Sequence, residues 1–275
     1  YAITRITALT AHHLDLGHVL HSMLIFWLIW WGWTQFTWAL NAANTRIAEV
    51  RLMVLFATGV AFVMASSADQ AFGSGVLWFA LPYILIRIIG LILYIRVTTN
   101  LNGQRNAVIM FALFSTTGLL AVLAGALVDT SLRTWFWIGA IVLDFIAGFF
   151  GGRSEGWRLL PKHCAERHGL IVIIALGESL IVAASALTSQ DRTFEILIVG
   201  SLAVIVTCLL WWSYFSWIHE HLEEHFSRYK GSKQAQVARD AYSFLHFPLI
   251  CGIIGVAVGF ELIILHPYDI LTVPV

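Results

Sequence analysis

Apolar residues run along this chain in long blocks, each broken by a short cluster of asparagine, glycine, proline or charge. A bilayer-crossing helix needs about 20 mostly apolar residues. Eight blocks approach that length: 19–40, 50–68, 76–96, 107–128, 134–152, 167–188, 194–218 and 244–265. Residues 1–12 read as the tail of a further helix whose start is missing. The breaks carry helix-ending residues, at Asn41 to Asn44, Gly73 to Gly75, Asn100 to Gly103 and Gly151 to Pro161. No low-complexity tract or internal repeat divides the chain. The pattern predicts an all-α, polytopic transmembrane helical bundle of about eight spans plus a truncated first helix, forming one domain over residues 1–275. The opening at Tyr1 shows no signal-peptide pattern, and with the apolar ending Pro274-Val275 both termini read as cut.

Composition sharpens this picture. Apolar residues make up 59% of the 275 and charged residues 12%, with mean hydropathy +0.81. Soluble domains carry about 45–50% apolar and roughly 25% charged residues, so this chain has too little polar surface to face water all round. Net charge is zero, which favours no nucleic-acid partner. Three cysteines, Cys164, Cys208 and Cys251, imply neither a disulfide framework nor a zinc ribbon.

Charge placement then orients the bundle. One set of alternate loops holds Arg46, Arg51, Arg96, Arg105, Arg153, Arg158, Lys162, Arg167, Arg228, Lys230, Lys233 and Arg239. The other holds Arg5, Arg133 and Arg192. The positive-inside rule makes the first set cytoplasmic, so loops 41–50, 97–106, 153–166 and 219–243 are expected inside a bacterial inner membrane. Gly148 with Gly152, and Gly255 with Gly259, offer small-residue faces for close helix approach.

Three ionisable side chains fall near the middle of their blocks: Arg87, Asp144 and Glu178. Each lies roughly ten residues from a helix end, which at about 1.5 Å per residue is the midplane. A charge there costs about 2.5–3.5 kcal/mol even on the lenient insertion scale. Arg87 can neutralise one carboxylate. The other then bears the full cost of its charge, which binding a proton removes, as a proton-coupled carrier requires. The packing alternative is a buried ion pair that fixes helix register. Arg167 lies eleven residues before Glu178 on nearly the same helix face, placed either to cap a cytoplasmic mouth or to snorkel to headgroups.

Other candidates are weaker. Trp27, Trp30, Trp31, Thr34 and Trp38 form one helical stripe, with Gln35 beside it. It reads as packing and lipid contact, or as an aromatic wall for a cationic or planar ligand. Trp31, Gln35, His246 and Glu261 are secondary candidates as polar groups inside apolar blocks. His221 to His225 matches H-x-x-E-H, but a third ligand is lacking, and a solvated face is the better reading. Lys162, Lys230 and Lys233 all lie in loops, leaving no anchor for a retinal Schiff base. His21 and His246 fall at opposite membrane faces, against a bis-His haem. There is no Walker A loop and no G-x-S-x-G, so neither enzyme activity nor a cofactor is expected. The expected partners are membrane lipids and a small solute or ion.

Several motifs together resemble the bacterial low temperature requirement protein A family. Glu166-Arg167, an apolar stretch, then Leu176-Gly177-Glu178 is its characteristic signature. Trp30-Trp31-Gly32-Trp33 resembles its tryptophan-rich second span. Arg239-Asp240-Ala241-Tyr242-Ser243-Phe244-Leu245-His246-Phe247-Pro248-Leu249 resembles its late Tyr-x-x-Leu-His-x-Pro segment, and Ala2-Ile3-Thr4-Arg5 the end of its first span. The resemblance covers essentially the whole chain and adds Glu166 and Arg167 to the candidate site. It departs where an acidic Phe-Phe-Asp-Leu motif and the last spans are absent, and at Ser216, where members often carry an acid. The family name implies a role in growth at low temperature.

Overall fold

The computed structural model describes residues 1–12, 15–43, 45–98, 102–151, 159–189 and 193–265. Of the residues singled out above, Asn44, Asn100, Gly152, Arg153, Arg158, Arg192, Pro274 and Val275 lie outside that set, as does the side chain of Arg105. The described residues form helices: α1 (Ala2–His12), α2 (Leu16–Ala42), α3 (Ala48–Ser66), α4 (Val76–Thr98), α5 (Asn102–Ala126), α6 (Thr130–Gly151), α7 (Pro161–Thr188), α8 (Phe194–Ser213), α9 (Glu220–Ser227), α10 (Gly231–Ala238) and α11 (His246–Leu265).

Local chemistry sets several helix starts. Asp15 accepts the His18 backbone N–H at 3.0 Å and caps α2. Pro161 opens α7, where its missing N–H has no helical partner to lose. The residue before it, Leu160, is gripped from both sides by Asn41. Its N–H donates to Asn41 Oδ1 at 2.7 Å, and its carbonyl accepts from Nδ2 at 3.3 Å. That amide ties the end of α2 to the start of α7.

Seven helical segments among the described residues are long and apolar enough to cross a membrane: Ala48–Ser66, Val76–Val97, Val108–Ala126, Thr130–Phe150, Pro161–Thr188, Phe194–Ser227 and Gly231–Leu265. The 27-residue α2 is not among them. Five tryptophans, whose indoles rank as slightly polar, together with His18, His21, Gln35 and Asn41, lower its hydropathy. It nevertheless runs through the protein interior, packed against α1, α4, α6, α7 and α11. The bundle is inverted relative to a soluble protein. Leu52, Leu55, Phe56 and Phe62 of α3 and Leu197, Leu202, Ile205 and Leu209 of α8 face outward, while Arg87, Asp144, His168 and His246 are buried. An apolar exterior of this extent is a lipid-facing surface.

The stretch 219–243, expected as a loop, is largely helical. The helix of α8 continues through a π-helical turn (Tyr214–His219) into α9, and α10 continues through a second (Arg239–Leu245) into α11. Pro248 supplies one cause, because it has no N–H for the preceding turn. The carbonyl of Ser243, five residues earlier, accepts instead from the Trp30 indole at 2.8 Å.

The small-residue faces divide. A Cβ on Gly148 would sit 3.1 Å from the Trp31 ring and 3.4 Å from Phe244, so α6 reaches α2 only because that position is bare. Gly255 and Gly259 meet nothing within 4 Å and bring no described helix close.

Candidate functional site

Arg87 is the twelfth of the 23 residues of α4, and three helices converge on it. Its Nη2 donates to Asp144 Oδ1 of α6 at 2.9 Å and to Ser115 Oγ of α5 at 3.0 Å. Its Nη1 donates to Asp144 Oδ2 at 3.2 Å and to the Tyr83 hydroxyl, one turn back on α4, at 2.7 Å. The pair is bidentate, the strongest arrangement open to a guanidinium and a carboxylate. Arg87 is 1% exposed and Asp144 2%, so both are held away from solvent. Gln35 of α2 joins from the far side, its Nε2 donating to the Arg87 carbonyl at 3.2 Å. The candidates Arg87, Asp144 and Gln35 are thus brought together, with Tyr83 and Ser115 added by the fold.

Both Asp144 oxygens are satisfied, but polar atoms beside them are not. Arg87 Nε, Gln35 Oε1 and Thr34 Oγ1 are buried polar atoms with no hydrogen-bond partner among the described residues, while the Trp31 indole N–H faces the Asp144 carboxylate. Buried polar groups almost always find partners. Two of these three lie along one face of α2, and the third is on Arg87 itself. Trp31 and Trp27 stack at 5.6 Å, and Trp27 stacks on Phe145 at 4.5 Å, so the tryptophan stripe forms an interior aromatic wall. Trp27 Nε1 also lacks a partner among the described residues.

Glu178 stands apart from the Arg87–Asp144 pair. It is buried in α7 without an ion-pair partner among the described residues, and its Oε1 has no hydrogen-bond partner. Arg167, on the same face of α7, lines a cavity of about 360 Å³ between α2 and α3 that Glu178 does not line. Glu166 is exposed and Glu261 half-buried.

A second polar cluster escaped the sequence reading except at His246. The Tyr214 hydroxyl donates to His246 Nε2 at 2.8 Å, and His246 Nδ1 donates to the Ala241 carbonyl at 2.8 Å. Both contacts use residues of the two π-helical turns, which frequently mark functional sites. His168 Nδ1 donates to the Cys164 carbonyl at 2.8 Å. Its ring lies 4.8 Å from Tyr242 and 5.1 Å from His246. His168 Nε2 and the Tyr242 hydroxyl, an acceptor and a donor, are both buried without partners among the described residues. The only advance signal was four ring-bearing polar residues near one end of the apolar blocks. Tyr214→Phe keeps the ring but leaves His246 Nε2 without its donor. It should cost about 1–3 kcal/mol, read as a lowered unfolding midpoint in detergent.

In the H-x-x-E-H segment, His221 is exposed and its Nδ1 donates to the Trp217 carbonyl at 2.7 Å. Among the described residues no three His, Cys, Asp or Glu side chains are grouped to hold a metal.

Long helices with an apolar exterior and an ion pair, imidazoles and orphaned donors within define a multi-pass helical membrane protein. The family model of the bacterial low temperature requirement A proteins (LtrA) matches residues 1–274, and the chain belongs to that family. It is 26% identical over 284 residues to the uncharacterized protein RA0937 of Rhizobium meliloti (strain 1021), across 98% of this chain and 68% of that protein. No solved structure matches the chain.

Proposed function

We propose that this LtrA-family protein is an inner-membrane transporter or channel-like protein for a small solute or ion, linked to proton movement. The observation that carries the proposal is the group of polar atoms beside the Arg87–Asp144 pair that have no partner among the described residues: Arg87 Nε, Gln35 Oε1 and Thr34 Oγ1. Polar atoms at that depth exact a cost unless water or a solute meets them. Ionisable groups inside membranes mark solute and proton pathways. Glu178, buried in α7 with no ion-pair partner among the described residues, is the carboxyl this reading assigns to the proton path. The loop charges orient the bundle, with 41–50, 97–106, 153–166 and 219–243 in the cytoplasm. No catalytic step and no cofactor enter this reading.

One observation favours a second reading. Both Asp144 oxygens are taken by Arg87, which is also bonded to Tyr83 and Ser115. A pair so fully engaged also suits a scaffold protein whose buried charges fix packing. Vesicles holding the purified protein and a trapped pH-sensitive dye separate the two. With a pH gradient imposed and a panel of inorganic ions and small organic acids supplied, transport predicts proton movement above that of empty vesicles. Movement equal to empty vesicles across the whole panel would leave the scaffold reading in place.

A further inference from the structure

The cavity between α2 and α3 has a shape and a charge that the ion-pair site does not explain. It follows α2 from Ile29 to Leu40 and α3 from Val54 to Met64, with Tyr83 and Ile86 of α4 behind it. Eleven residue steps along a helix span about 16 Å, so the space is a long slot rather than a round pocket. Its volume of about 360 Å³ falls within the ~300–1,000 Å³ range of small-molecule sites. Ala57 and Ala61 on α3 and Gly32 on α2 keep it open, and its walls are mainly apolar.

Among the described residues, Arg167 is the one charged residue in the lining. Its level in the slot is fixed by its neighbour His168, whose ring lies 5.0 Å from Trp33. Trp33 lies near mid-slot, and the contact of Arg167 Nε with His163, one turn back toward the start of α7, carries the guanidinium toward the Thr37–Leu40 end, where Leu160 bonds to Asn41. Arg167 Nε donates to His163 Nε2 at 3.3 Å, and no described carboxylate forms an ion pair with the guanidinium. A cation left beside an apolar slot is stabilised by an anion brought to it.

We infer that this slot binds a fatty carboxylate, with its head group on the Arg167 guanidinium and its hydrocarbon chain lying between α2 and α3. The length suits an unbranched chain of roughly a dozen carbons laid along about 16 Å of helix. An inorganic anion would leave most of the apolar wall uncovered, and a neutral alkyl chain would leave the guanidinium unpaired. The inference deepens the proposed function by naming a solute class, and it rests on that reading for its purpose but not for its geometry.

The test uses the full chain in lipid nanodiscs and dodecanoate carrying a mid-chain photoreactive diazirine, with the crosslinked peptides mapped by mass spectrometry. Labelling is expected on residues 29–40 and 54–64, competed by plain dodecanoate but not by dodecanol. Arg167→Gln should reduce it about tenfold, through loss of the charge-assisted contact, and Arg167→Lys should restore most of it. Ala61→Phe, which fills the slot without touching the cation, should also abolish it and guards against misfolding of the arginine variant. Equal competition by dodecanol, or equal labelling by a diazirine phosphatidylcholine, would reduce the slot to a groove for bilayer lipid and overturn the inference. So would labelling elsewhere. Because labelling needs no gradient, it can succeed where the vesicle flux fails, and flux can succeed where labelling fails.

Discussion

Arg87→Met should lower stability by about 3–5 kcal/mol, the usual cost of removing one partner from a buried ion pair. The substitution leaves the Asp144 carboxylate, 2% exposed, without its counter-ion. It also strips a donor from both the Tyr83 hydroxyl and Ser115 Oγ. Asp144→Leu should cost a similar amount, now by stranding the guanidinium. The informative variant is the double one. With both charges gone, the dominant penalty goes with them, and apolar replacement of a whole buried pair is often neutral or better. Arg87→Met with Asp144→Leu should therefore unfold at a higher temperature than either single variant. Thermal unfolding in detergent, followed by size-exclusion chromatography with fluorescence detection, reads all three. Single variants with wild-type midpoints would mean that water already screens the pair. A double variant as weak as the sum of the singles would mean that Tyr83 and Ser115, not the charges, dominate the local energetics.

The pairing of Arg87 with Asp144 was legible because a midplane charge has few ways to be neutralised, and Asp144 lies at matching depth on another span. That Asp144 rather than Glu178 took the arginine was not legible. Depth along a helix follows from spacing, but which helices are neighbours depends on packing. Here Gly148 lets α6 approach Trp31, bringing Asp144 toward α4 while α7 packs with α8 and α11. The helical content was legible throughout, since apolar blocks of bilayer length allow little else. The π-helical turns were not, because a shift of one residue in hydrogen-bond register leaves the apolar pattern almost unchanged. Pro248, two residues after a buried histidine, was the one visible sign. The cluster of His168, Tyr214, Tyr242 and His246 stayed hidden for the same reason: its members come from α7, from both of those turns and from the first residue of α11. Arg167 was visible as a cation near the helix start, but the slot it borders exists only because α2 and α3 stand apart.

Glu178→Gln should abolish gradient-driven proton movement while leaving the fold intact, and this contrast with Arg87 separates a working group from a pinning one. Glutamine keeps the shape and hydrogen-bonding reach of the side chain but cannot exchange a proton. In the folded protein Glu178 has no ion pair to lose among the described residues, and its Oε1 makes no hydrogen bond. The named mechanisms of large destabilisation are therefore absent, and the stability change should stay within about 1 kcal/mol. Glu178→Asp keeps the acid but withdraws it by one methylene, and it should retain a reduced, measurable movement. The same vesicles read flux, and the same detergent assay reads stability. Flux unchanged in Glu178→Gln would remove this carboxyl from the proton path and return the question to the atoms around Arg87. A large stability loss with no flux to lose would make Glu178 a packing residue, with the bundle a scaffold whose charges hold its helices in register.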